Sequence, residues 1–203
     1  MDSEPCCWPH FCPGSVNGQR FAPQLRTVLQ QQINRYRQLT GLRHIRLDGH
    51  QHIHLVPLVM DAVVDLARAE TITWVRTTRE PLPEGLSLGL WWRSIHTGGL
   101  LKWMVLQLLC GLAIPRLRRA EIQTNQRFAG VLFSGSMFGQ ALRRSWITAH
   151  SSSTIGRAAR PVVLIHPAHR HAEAGMDQKA FAQSVTFFNS ANRQKEWSSA
   201  RKL

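Results

Sequence analysis

The sequence predicts an α/β fold with parallel strands, and three patterns lead to this prediction. A short strand pattern at residues 44–48 is followed by a helical pattern and then by a second strand pattern that ends at Arg76. A third strand pattern, the apolar run PVVLIHPAH, occupies residues 161–169. Strand, helix and strand at this spacing form a unit with parallel strands. The chain has 203 residues, 43% of them hydrophobic and 18% charged, which is a globular composition with enough length for one core.

Two predicted helices flank the first strand. Residues 1–22 are expected to form an irregular leader, because prolines and glycines interrupt any regular period there. Over residues 23–39, apolar side chains recur at three- and four-residue steps, which predicts a helix that ends at Gly41. A second helix is predicted over residues 57–69, where the initial proline suits the first turn.

The second half of the chain has a less regular pattern. We expect it to belong to the same domain, which runs over residues 23–203. The predicted segments are helices at 98–119 and 137–149, a strand or loop at 128–133, a flexible turn at 150–160 and helical pieces within 177–203.

The charge balance is strongly basic. The chain has 25 Lys and Arg against 12 Asp and Glu, a formal net charge of +13, and residues 115–203 hold 14 of the basic and 4 of the acidic residues. Such a surface attracts phosphate backbones or anionic lipid headgroups, although a compositional bias toward Arg explains the charge equally well. Nucleic-acid binding is not expected, because no aromatic residues for base stacking are interleaved with the basic ones.

The longest apolar run, GGLLKWMVLQLLCGLAIP at residues 98–115, is interrupted by Lys102 and Gln107. It is too short and too polar to predict a membrane span, which needs about 20 apolar residues. Two interpretations stay open: a core helix, or a helix that lies on an anionic membrane together with the arginines of residues 116–119. The chain does not begin with the basic and apolar segments of a secretory signal, so a cytoplasmic location is expected. Under the second interpretation, the protein would also make a peripheral contact with the membrane.

A run of ionisable side chains follows the first strand. The segment LDGHQHIHLVP, residues 47–57, places Asp48, His50, His52 and His54 at every second position. On a continuing strand the four would share one face, with neighbours roughly 6 to 7 Å apart. Such a group beside a core is unfavourable unless a cation or a substrate compensates it. The pattern therefore predicts a binding site.

This run supplies only part of a metal site. At most two of its histidines can bind one cation, because the outer two would be roughly 13 Å apart. A catalytic metal needs about three protein ligands and an open position for water. His166 follows the third strand pattern, and active sites of parallel α/β folds lie where strands end. The two strand ends predict a metal with a second histidine nearby as acid or base.

Four segments together resemble a known family. They are LDGHQHIHLVP, WVRTTRE, FAGVLFSG and VVLIHPAH, and they are similar to the YdjC-like carbohydrate deacetylases, whose pattern has an Asp-x-His-x-His-x-His run and a late His-Pro strand end. The similarity runs from about Gln24 onward, and Trp91, Trp92 and the apolar helix after them point to the hopanoid-biosynthesis-associated branch. The resemblance implies a TIM-like (β/α)7 barrel of the polysaccharide deacetylase and glycoside hydrolase type. It also implies metal-dependent hydrolysis of the acetyl group of an N-acetylated amino sugar or glycolipid.

The resemblance also implies the roles of His50 and His166, whereas the roles of the other four residues below are suggested by their positions at the strand ends and in the histidine run. His50 is expected to bind a divalent metal, Mg2+ in the family with Zn2+ as the alternative. His166 is expected to be catalytic, as a general acid or an orienting group. Asp48 is expected to be catalytic by fixing the histidine loop or the tautomer of a ligand. The residues expected to bind the substrate are Arg76, His52 and His54, with a surface ion pair as the open alternative for Arg76.

The start of the sequence departs from the family pattern. It has no Ala-Asp-Asp-Phe-Gly stretch and no Gly-x-His before residue 23, and these motifs supply the other metal ligands and the base in the family. We therefore expect an incomplete barrel without its N-terminal strands, inactive on its own, whose intact form acts on an acetylated oligosaccharide or lipid-linked sugar. The alternative function is a non-catalytic basic protein on an anionic membrane surface.

Overall fold

Two small parallel sheets and the helices that cover them form the described part of the chain. The computed structural model describes residues 18–151, 161–167 and 190–202. The helices are α1 (Gly18–Thr40), α2 (Pro57–Ala67), α3 (Leu88–His96), α4 (Gly99–Arg119), α5 (Gly139–Ser151) and α6 (Ala191–Ala200). The strands are β1 (Ile45–Leu47), β2 (Ile72–Val75), β3 (Gln123–Thr124), β4 (Phe128–Ala129) and β5 (Val162–Val163).

The first sheet has the strand order β1-β2-β3, and all its pairs are parallel. β1 and β2 flank α2, so the predicted strand-helix-strand unit is confirmed. Pro57 stands in the first turn of α2, where a missing N–H costs no helical hydrogen bond. Val63 of α2 and Val75 of β2 are fully buried in one hydrophobic cluster. Burial of such side chains stabilises each by about 1.5 to 3 kcal/mol.

The second sheet pairs β4 with β5, again in parallel. Gly130 follows β4 at φ +130°, and a Cβ there would lie 2.4 Å from the carbonyl oxygen of Leu164. Only glycine therefore allows the chain after β4 to approach the chain after β5 so closely. The strand predicted at 161–169 is confirmed over its apolar beginning, while residues 168 and 169 lie outside the described residues.

The first helix begins earlier than its sequence pattern predicts. α1 starts at Gly18 and includes Pro23, so residues 18–22 are helical and do not belong to an irregular leader. A proline this close to the start of a helix removes one bond to the preceding turn and leaves the rest of the helix intact. The remainder of the predicted leader, with its cysteine-rich CCWPHFC segment, lies outside the described residues.

Several other predictions differ from the structure. α3 and β3 have no counterpart among the predicted elements, because both are short and lie between stronger patterns. The first two residues of the turn predicted at 150–160 are instead the end of α5, and residues 152–160 lie outside the described residues. Of the helical pieces predicted within 177–203, the described part contains α6. Within residues 18–151 and 161–167, the strands form two separate sheets and no closed barrel.

Candidate active site

Polar side chains collect where the parallel strands end. Asp48 follows β1 directly, Arg76 follows β2 directly, and His166 lies just beyond β5. The carboxyl ends of parallel strands are the usual position of active sites in α/β proteins. Here this edge also carries the predicted histidine run, so the site is built on the rigid ends of separate strands.

The histidine run is a turn and not an extended strand, which corrects the prediction of one shared face. β1 ends at Leu47, and residues His50–Leu55 form a 3-10 turn in which Gln51 and His52 have φ values of 50° and 63°. These left-handed conformations reverse the chain. His52 and His54 are consequently buried, whereas His50 is exposed.

His54 fastens this turn to the neighbouring strand. Its Nδ1 accepts a hydrogen bond from the backbone N–H of Gly49 at 3.0 Å, and its Nε2 lies 2.7 Å from the backbone oxygen of Arg76. Because Nδ1 accepts, Nε2 carries the proton and donates it, so the ring is neutral. Burial lowers the pKa of His54, in agreement with this assignment. A contact between His54 and a substrate would require one of these bonds to break.

Arg76 joins the other predicted residues. One of its terminal nitrogens lies 2.6 Å from Oδ1 of Asp48 and 3.2 Å from Nδ1 of His52, and the guanidinium lies over the ring of Phe128. Arg76 is 7% exposed, so it positions its neighbours more than it presents a surface to a substrate. Burial lowers its pKa, and Asp48 opposes that shift.

His52 is held as a neutral imidazole. Arg76 can only donate hydrogen bonds, so Nδ1 of His52 must accept and the proton is on Nε2. Burial and then the charge of Arg76 lower the pKa of His52 to about 3. The edge-on contact with Phe128, at 5.8 Å between ring centroids, fixes the plane of the ring.

His166 approaches the same site from the second sheet. Its backbone N–H donates to Oε2 of Glu196, and its backbone oxygen accepts from Arg193 at 3.0 Å. Burial lowers the pKa of His166, Glu196 opposes the shift, and Lys102, Arg193 and Arg76 add to it. The charge of His166 is in turn one of the smaller causes that lower the pKa of His52, and Arg76 lowers the pKa of both histidines.

Two buried carboxylates support the site, and neither was predicted from the sequence. Glu80 accepts hydrogen bonds from the backbone N–H groups of Gly130 (2.8 Å), Val131 (2.8 Å) and Leu132 (3.2 Å). Burial raises the pKa of Glu80 to about 7 against these bonds and the nearby Lys102.

Glu196 has the corresponding role on α6. It is fully buried, and its Oε1 accepts from the N–H of Met137 at 2.8 Å while Oε2 accepts from His166. In the sequence, Glu80 and Glu196 are recognisable only as isolated acidic residues in a mainly basic chain. This does not predict that either carboxylate is buried and accepts backbone hydrogen bonds.

The described residues do not complete a metal site. Among them, no group of three or more His, Cys, Asp and Glu side chains is arranged to hold an ion, and a catalytic metal needs about three protein ligands. His50 is exposed and can offer its ring to solvent or to a ligand. The metal role of His50 therefore stays a prediction.

The arrangement suits acid-base chemistry on a polar substrate. It combines two neutral imidazoles, a buried guanidinium and the half-exposed carboxylate of Asp48 at the strand ends of an α/β protein. Fold and site together define an α/β protein with a histidine-rich group of polar side chains at its strand ends. The profile of the family described as YdjC-like protein matches residues 8–201, and the chain belongs to this family, as its motifs predicted.

Curated relatives resemble a part of the chain. A carbohydrate deacetylase of Mus musculus is 36% identical over 74 residues, which is 36% of this chain and 23% of the relative. A carbohydrate deacetylase of Homo sapiens is 36% identical over 69 residues, or 34% of this chain and 20% of the relative. One of Danio rerio is 32% identical over 65 residues, or 32% and 21%. The matches thus span about a fifth of these relatives. No solved structure matches the chain.

Proposed function

We propose that this chain takes part in the hydrolytic deacetylation of a carbohydrate, with an N-acetylated amino sugar or glycolipid as the substrate. The observation that carries the proposal is the linked group of Asp48, Arg76 and His52 at the ends of β1 and β2, with His166 beside it at the end of β5. The names of the curated relatives support the same reaction class. The parallel pairing of every described strand supports a (β/α) barrel as the parent fold.

Amide hydrolysis requires the attacking water to lose a proton and the departing nitrogen to gain one. In the proposal, His166 does this work, because its lowered pKa keeps the ring neutral and able to accept a proton at neutral pH. The same ring then returns the proton to the amine as the C–N bond breaks. Asp48 and Arg76 hold His52 in one tautomer, and the exposed parts of Asp48 and His50 are available to the sugar.

We further propose that a divalent metal, Mg2+ or Zn2+, assists the reaction and that His50 is one of its ligands. A bound metal polarises the acetyl carbonyl and lowers the pKa of water. His50 fits a ligand role by its exposure, but the described residues do not supply a full ligand set. Further ligands would have to come from outside the described residues.

Acetate release from N-acetylated chitooligosaccharides, with added Mg2+ or Zn2+, tests the proposal. His166→Ala is expected to lower the rate by roughly 100-fold or more, the typical contribution of a general acid or base. The matched control is His44→Ala, which removes an exposed histidine before β1 and should leave the rate unchanged. His50→Ala should weaken the response to added metal. Equal, measurable rates for wild type, His166→Ala and His44→Ala would contradict the assignment of His166. A wild-type chain that neither binds nor deacetylates these sugars would contradict the proposed function.

A further inference from the structure

Helix α4 is apolar on two opposite sides, and within the described part of the chain only one of them packs into the core. Its inner side packs into the core through Leu106, Cys110, Ala113 and Leu117, each at most 7% exposed. Its outer side carries Leu101, Met104, Val105, Leu108 and Leu112, which are 44% to 67% exposed. At 3.6 residues per turn these five side chains fall within an arc of about 100°. We refer to them as the α4 outer face.

The α4 outer face cannot turn inward. Three hydrogen bonds fasten the inner side of α4 to the segment after β2: Trp103 Nε1 donates to the oxygen of Glu80 at 3.0 Å, Gln107 Nε2 donates to the oxygen of Thr78 at 2.7 Å, and the Thr78 hydroxyl donates to the oxygen of Leu106 at 3.4 Å. Rotation of the helix would break all three and leave buried polar groups without hydrogen-bond partners, which is unfavourable. The exposure is therefore built into the packing.

The ionisable residues of α3 and α4 themselves are all basic or histidine, although Asp61 of α2 lies beside Arg116. From Leu88 to Arg119, which covers α3 and α4, the chain has five Lys and Arg residues and neither Asp nor Glu. Arg116 pairs with Asp61 at 3.0 Å, whereas Arg118 and Arg119 are exposed and form no ion pair with the described residues. By helical periodicity Arg119 continues the line of the α4 outer face.

We propose that the α4 outer face rests on an anionic lipid surface, with α4 lying in the plane of the membrane interface. The apolar α4 outer face leads to arginines that form no ion pair with the described residues. Such a surface is complementary to a membrane interface, where the lipid chains are apolar and the headgroups are negative. Contrary to the sequence prediction, α4 is by length and composition the one helix among the described residues that could cross a membrane, with a mean hydropathy of 1.5, and 22% of that stretch is buried. Crossing would pull its inner side out of the core, so the helix lies flat. Trp92 on the adjacent α3 is 61% exposed, and tryptophan favours this interface.

Vesicle flotation of the full chain tests the proposal and requires no turnover, so its outcome is independent of the proposed deacetylation. The chain should float with phosphatidylcholine vesicles that contain phosphatidylglycerol, and flotation should decrease with salt and with pure phosphatidylcholine. Arg118→Glu with Arg119→Glu should lower the partition coefficient at least on the order of 30-fold, from a factor of about five for each lost basic residue. The matched control, Arg35→Glu with Arg43→Glu, makes the same change of net charge at exposed positions of α1 and the loop after it.

The apolar contribution has its own pair of variants. Leu101→Glu with Leu108→Glu should abolish flotation, while Leu39→Glu, at a 68% exposed position of α1, should have little effect; circular dichroism checks that each variant is folded. No flotation of the wild-type chain with anionic vesicles overturns the proposal, as does equal loss in the matched controls. A lipid-free dimer that Leu101→Glu with Leu108→Glu dissociates also overturns it, because a second copy would then cover the face.

Discussion

Arg76 is the residue on which the candidate active site depends. Its side chain contacts Asp48 and His52, its backbone oxygen accepts from His54, and its guanidinium lies over Phe128. A buried guanidinium needs such partners, because an uncompensated charge in the interior is very unfavourable. The tautomer of His52 therefore follows from the Arg76 side chain, whereas that of His54 follows from the Gly49 N–H and the Arg76 backbone oxygen.

The protonation of His52 is expected to respond to Arg76. Arg76→Met removes the second largest cause of the lowered pKa and the donor to Nδ1, while the largest cause, burial, remains. The pKa of His52 should rise from about 3 but stay below the ordinary histidine value. A histidine titration followed by NMR measures it. Arg79→Met, at an exposed position, is the control, and an unmoved His52 pKa in Arg76→Met would show that the guanidinium has no such influence.

At the scale of an element, the turn after β1 is determined by a close backbone contact. A Cβ on Gly49 would lie 2.6 Å from Nδ1 of His54, the atom that accepts the Gly49 N–H. Gly49→Ala should therefore displace the ring and destabilise the fold by about 1 to 3 kcal/mol. Urea unfolding measures the change.

The control for this prediction is Gly111→Ala in the middle of α4. Apart from the adjoining residues and backbone of α4 itself, no atom lies within 4 Å of a Cβ at that position, so the substitution should stabilise the helix by about 0.5 to 1 kcal/mol. Equal effects of the two substitutions would contradict the close contact at Gly49.

The attachment of α6 makes a second prediction for an element. Glu196→Gln replaces one carboxylate oxygen by an amide nitrogen that cannot accept, so either the Met137 or the His166 N–H loses its partner. The cost should be about 1 to 3 kcal/mol, and the exchange of the unpartnered backbone amide should accelerate in hydrogen-exchange measurements. Glu121→Gln, at an exposed position, should change neither the stability nor the amide exchange. If the amides of Met137 and His166 both stay protected in Glu196→Gln, Glu196 does not anchor α6.

For the whole molecule, the pKa shifts predict how stability depends on pH. The lowered pKa values of His52, His54 and His166 mean that the unfolded chain takes up these protons first as pH falls below 6.5, so stability decreases toward pH 3. Glu80 has the opposite sign: its pKa rises from 4.5 to about 7, so the folded chain takes up this proton first, and stability increases as pH falls from 7 to 4.5.

These opposing signs make Glu80→Gln a direct test. The fall in the free energy of unfolding between pH 7.5 and pH 5 should be larger in Glu80→Gln than in wild type, by up to about 3 kcal/mol, because the opposing contribution is gone. Urea unfolding at the two pH values measures the difference within each protein, so a general destabilisation of the variant cancels. The same fall in both proteins would mean that Glu80 has an ordinary pKa in the folded state.

Much of the fold and part of the site could be predicted because the signals are local. The apolar period of α2, the proline at its start and the short strands around it predicted the parallel unit, and β1, α2 and β2 confirm it. Short elements with weak periods, such as α3 and β3, were missed. Glu80 was missed because its three donors lie 50 to 52 residues away in the sequence.

By itself, the sequence determined the parallel α/β character, the family and the strand ends at which Asp48, Arg76 and His166 stand, because periodicity and motifs are properties of neighbouring residues. Only the tertiary structure decided which of the alternating histidines are buried, that His54 binds backbone, and that α4 leaves one apolar side uncovered. Each of these depends on contacts between distant segments. The backbone oxygen of Arg76 holds the His54 ring that also binds the Gly49 N–H, and hydrogen bonds to the segment after β2 fix the orientation of α4 about its axis. A pattern of residue types does not contain these contacts, since the same alternation suits a strand or a turn until the neighbouring strand supplies a partner.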